Sequence, residues 1–96
     1  MLKHVVMFKF KNSTSESAIA EVEKELGGLP TIIPEIMEFE CGRDVLRSER
    51  SYDFALVSEF QNLENMQRYQ VHPEHQKVVV KLKEICDSIL IVDFEN

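Results

Sequence analysis

A chain of 96 residues with 44% hydrophobic content is long enough for one compact domain and too short for two independent cores. Its net charge of -6, with 17 acidic against 11 basic side chains, argues against a nucleic-acid partner, because phosphate binding draws on clustered Lys and Arg. One acidic, cytoplasmic domain spanning residues 1–96 is the expectation.

Residues 2 to 10 alternate His4, Val6, Phe8 and Phe10 with Val5, Met7 and Lys9, a strand pattern that is apolar on most of both faces. The segment reads poorly as a secretion signal, since Lys9 interrupts it and no small-residue cleavage site follows. No apolar run in the chain approaches the ~20 residues of a membrane span, so no membrane partner is expected. "STSE" then offers a capping box between Ser13 and Glu16. Ala18, Ile19, Val22, Leu26 and Leu29 follow at helical spacing, and Gly27-Gly28 predicts a left-handed stop.

After the "LPTIIP" bend, Met37, Phe39 and Cys41 alternate with Glu38, Glu40 and Gly42 as a second strand. "GRDVLRSERS" lacks periodicity and reads as an exposed connection in which Arg43 and Asp44 pair. The third strand is expected at 52–60, with Tyr52, Phe54, Leu56 and Phe60 on one face and Ala55 and Val57 on the other. Asn62 is a fitting N-cap for a short helix carrying Leu63, Met66, Gln67 and Gln70. Pro73 ends that helix and starts the next, whose apolar stripe is Val78, Val79, Leu82, Ile85 and Cys86, with Lys77, Lys81 and Lys83 on its wetter side. "SILIVDF" at 88–94 is the last strand.

Strand, helix, strand, strand, helix pair, strand is the split β-α-β order of an α+β, ferredoxin-like subunit with a four-stranded antiparallel sheet. Helices cover one face of such a sheet, yet strands one, three and four are apolar on both. An uncovered apolar face of roughly 600 Å² invites aggregation, so a homodimer packed sheet to sheet, a dimeric α+β barrel, is predicted.

"YQVHPEH" at 69–75 concentrates Tyr69, His72 and His75 around Pro73. One reading is purely local: His72 at the helix N-cap, Pro73 at the first helical position and His75 one turn in. Another is acid-base chemistry, since an imidazole titrating near ~6.5 takes and returns a proton at neutral pH without a cofactor. A metal held by His4, His72 and His75 needs all three rings in one cavity, and no H-E-x-x-H or Cys-rich pattern supports it; neither metal, heme nor another cofactor is expected. Cys41 and Cys86 form no C-x-x-C pair and read as free thiols.

"LKHVVMFKFK", "GRD" at 42–44, "YDFALVSEF", "YQVHPEHQKVV" and "VDFE" together resemble the stress-responsive dimeric A/B barrel (Dabb) domain across nearly the whole chain. The resemblance implies a subunit that dimerises through its sheet, often exchanging its last strand, with a small cavity in each half. Members of that family include plant stress proteins and a plant polyketide cyclase that closes its product by aldol condensation. Carried onto this sequence, the cyclase chemistry falls on His75 as general base, Tyr69 as hydrogen-bond donor to a substrate carbonyl, and His4 as a positioning group. Val6, Phe8 and Leu56 are then the walls for a small apolar or aromatic ligand. Two functions follow as expectations: a stress-related ligand-binding protein without turnover, and a cofactor-free cyclase.

Overall fold

In chain order the elements are β1 (Leu2–Phe10), α1 (Glu16–Gly28), a 3-10 turn (Leu29–Thr31), β2 (Glu38–Arg43), β3 (Phe54–Phe60), α2 (Leu63–Val71), α3 (Pro73–Ile85) and β4 (Cys86–Glu95). This is a computed structural model, and it describes residues 1–96. The four strands form one antiparallel sheet in the order β2-β3-β1-β4, with the helices on one face, a ferredoxin-like arrangement. No helix is long and apolar enough to cross a membrane.

Register decides which side chains meet, because paired residues of antiparallel strands project to the same face. Across β3, β1 and β4 the helix-facing rows are Ser58–His4–Asp93, Leu56–Val6–Ile91 and Phe54–Phe8–Ile89. Beneath them Val22 and Leu26 of α1, Met66 and Tyr69 of α2, and Val78 and Leu82 of α3 complete the core. The opposite face carries Val57–Val5–Val92 and Ala55–Met7–Leu90, and no part of the chain covers it. Met7, Val57, Leu90, Val92 and Phe94 are all exposed there.

Several local expectations are corrected. Ser15, not Ser13, caps α1 by accepting the Ala18 N–H at 3.2 Å, and the Glu16 carboxylate turns to Arg43 at 2.6 Å. Gly27-Gly28 is not a left-handed stop: Gly28 has φ -84°, and the chain runs into the 3-10 turn, whose first-turn Pro30 is tolerated while Leu29 and Ile33 are buried. Arg43 pairs with Glu16 and Glu23, whereas the Asp44 carboxylate accepts the Arg47 backbone N–H.

Tyr52 precedes β3, its hydroxyl 2.9 Å from Ser88 and its ring beneath the Lys9 ammonium. On α2 the buried residues are Met66 and Tyr69; Leu63, in the first turn, is exposed. Cys86 belongs to β4, which starts directly where α3 ends and reaches Glu95.

Candidate functional site

The break between α2 and α3 is built by three residues. Pro73 has no N–H to give the helix and forces His72 out of helical geometry, to φ -63° and ψ 134°. The His72 Nδ1 then accepts the Glu74 N–H at 3.1 Å, capping α3. Glu74 is therefore lost to Gln70, its partner in an unbroken helix, and the Gln70 carbonyl instead accepts the His75 Nδ1–H at 3.0 Å and the Gln76 side-chain amide at 2.5 Å. A carbonyl only accepts, so Nδ1 carries the hydrogen and the His75 Nε2 keeps a lone pair.

His75 lies against Tyr69 with ring centroids 4.2 Å apart, and Tyr69 meets the edge of His4 at 6.1 Å. His4, on β1, is buried at 4% exposure, and its Nδ1 hydrogen-bonds the Asp93 carboxylate from β4. Phe60 closes the group, 5.0 Å from Tyr69 and 6.5 Å from His4. His4, Tyr69 and His75 share one cavity of about 280 Å³, with Val6, Phe8 and Leu56 in its wall from the sheet and Ile89 and Ile91 from β4. Leu26, Val78, Val79 and Leu82 supply the helical side. His72 is absent from the lining, so the three imidazoles do not gather around one point.

Burial lowers the His75 pKa below the usual imidazole range, with His4 and His72 adding to the effect and the Gln70 carbonyl opposing it. The ring is thus held neutral with an available lone pair. Burial pushes the Tyr69 phenol well above its ordinary value, keeping it protonated. Its hydroxyl is buried and has no hydrogen-bond partner, and the same holds for Ser58, the residue across the sheet from His4.

An unsatisfied buried hydroxyl destabilises the chain that contains it. Tyr69→Phe is accordingly expected to raise stability, by about 1 kcal/mol. An increased urea midpoint at unchanged slope is the readout, and an unchanged or lower midpoint contradicts it.

The sequence model of the stress responsive A/B barrel domain, Dabb, matches residues 2–96. The chain belongs to that family. This A/B barrel domain is 27% identical over 95 residues to the olivetolic acid cyclase of Cannabis sativa, covering 97% of the chain and 94% of the relative. It is also 27% identical to a stress-response A/B barrel domain-containing protein of Arabidopsis thaliana, over 98% of the chain and 88% of the relative. Among solved structures, a dimeric protein of unknown function and ferredoxin-like fold from Bacteroides fragilis is 31% identical and superposes with a TM-score of 0.86, covering 99% and 95% of the two chains.

Sequence reasoning missed three residues at this site: two that flank His4 on the sheet and one that lines the cavity. Asp93 stood in the "VDFE" segment but had no partner until the β1–β4 register set it opposite His4. Ser58 carries no signal of its own within the third strand. Lys83, read as belonging to the wet face of α3, is exposed as expected and also borders the cavity.

Proposed function

We propose that this domain holds a small, largely apolar carbonyl compound in the cavity and catalyses a cofactor-free proton transfer on it. His75 Nε2 removes the acidic proton between two carbonyl groups, and the Tyr69 hydroxyl donates to the carbonyl oxygen that gains negative charge. The His4–Asp93 pair orients the polar end, and Val6, Phe8 and Leu56 hold the apolar part. One observation carries the reading: His75 gives its Nδ1–H to the Gln70 carbonyl, which leaves a neutral imidazole with a free lone pair beside a buried, protonated phenol. An aldol cyclisation begins with such a deprotonation, and the Cannabis sativa relative is by name a cyclase.

The test is turnover of a linear poly-β-keto thioester by the native protein and by His75→Gln. A native rate no faster than buffer sinks the catalytic reading. Ligand binding without turnover is the second reading, favoured by the burial of the Tyr69 hydroxyl away from the surface. Saturable binding of the same thioester with no product would establish it.

The working unit in this proposal is a homodimer joined through the open sheet face. Support comes from the two apolar rows centred on Val5 and Met7 and from the relative described as dimeric. A charge at the centre of such an interface is strongly disfavoured. Met7→Glu should therefore shift the protein from dimer to monomer in light scattering, and a native protein that is already monomeric contradicts the proposal.

A further inference from the structure

We propose that the ligand of this cavity carries a carboxylate at its outer end and that Lys83 selects for it; the inference rests on the cavity being the ligand site. From α3 the lining residues are His75, Val78, Val79, Leu82 and Lys83, a continuous stripe along one helix face. At 1.5 Å per residue, His75 and Lys83 are about 12 Å apart along that stripe. The sheet has the same polarity. His4 pairs with Asp93 at the His75 end, Val6 with Ile91 in the middle, and Phe8 with Ile89 toward the end where α3 passes into β4. The cavity lining is therefore graded: the buried His4 and Tyr69 with His75 at one end, an apolar middle, and the exposed Lys83 at the other.

Lys83 differs from the other lysines of its helix. Lys77 pairs with Glu74, and Lys81 with Glu21 and Glu25, whereas Lys83 makes no ion pair although acidic side chains outnumber basic ones in this chain. The dipole of α3 favours a cation in the last turn, which accounts for a lysine there. It does not account for a stem that joins the cavity wall while the charge stays unpaired. An amphiphile with its β-dicarbonyl inside, about ten methylene-scale bonds of apolar chain, and a carboxylate outside matches the ~12 Å gradient.

Calorimetric titration of a dodecanoate bearing a β-diketone at its far end, against the methyl ester of the same compound, tests this. At low salt the acid should bind the native protein about three- to fivefold more tightly than the ester, the range of an exposed ion pair. The preference should disappear in Lys83→Met, which keeps the apolar stem, and shrink at high salt. Equal binding of acid and ester, the same preference in Lys83→Met, or no binding of either compound overturns the proposal. Deuterium exchange at the carbon between the two carbonyls, followed by NMR, separates this from the catalytic reading. Charge preference with exchange no faster than in buffer upholds the Lys83 proposal and removes the proton transfer; accelerated exchange without charge preference does the reverse.

Discussion

Exchanging His75 for glutamine is expected to lower turnover of a β-dicarbonyl substrate by roughly 100- to 10,000-fold, the usual contribution of a positioned general base. Glutamine can still donate an amide N–H to the Gln70 carbonyl, so the break between α2 and α3 keeps its local bonding, but it has no lone pair of comparable basicity. A residual rate within threefold or so of the native one would show that the base lies elsewhere.

The same substitution has a second, independent signature in stability. The folded-state pKa of His75 is lowered, so between that value and about 6.5 the unfolded chain binds a proton that the native chain does not. The stabilisation from a neutral His75 is therefore complete above about pH 6.5 and is lost as the pH falls through the folded value. In the His75→Gln protein that part of the acid decline should be missing, measured as urea unfolding free energy across pH 5 to 7. Superimposable native and variant profiles would contradict the buried, neutral imidazole.

Phe60→Ala is expected to remove about 3–5 kcal/mol of stability, the largest single loss in the site region. Phe60 is fully buried on β3 and supports both Tyr69 and His4 through its ring contacts. Against a typical total of roughly 5–15 kcal/mol, a loss of that size leaves a measurable unfolded fraction. Phe60→Leu, which keeps much of the volume, should lose markedly less. Denaturant midpoints rank the three proteins, and an alanine variant within about 1 kcal/mol of native would mean that the helices settle freely into the vacated space.

His72 and His75 show why a motif underdetermines its chemistry. Both stand beside Pro73, yet one imidazole accepts a backbone N–H as a helix cap and the other donates to a carbonyl that the same break sets free. The tautomers are opposite as a result: His72 uses Nδ1 as an acceptor, and His75 uses Nδ1 as a donor. Only the latter lines the cavity.

Periodicity and turn chemistry are local properties, and the sequence alone determined what depends on them. The four strands, the order of elements, the Asn62 cap, the helix break at Pro73 and the apolar character of both sheet faces were all legible, because each follows from side-chain spacing of two or 3.6 residues or from the missing N–H of proline. The "YQVHPEH" and "KHVV" segments likewise pointed to His4, Tyr69 and His75 through family resemblance. Helix ends were less legible: Ser15 displaced Ser13 as cap, and the buried Leu29 and Ile33 drew the chain past its glycines.

Only the tertiary structure decided which distant residues meet. The antiparallel register set Asp93 and Ser58 beside His4 on the two neighbouring strands, and the packing of α3 on the same face put Lys83 in the lining of the cavity that His75 shares. A one-residue slip of β4 would turn Asp93 and Ile91 to the opposite face. Spacing within one segment cannot report that pairing, because it is set by the packing of three elements far apart in the chain.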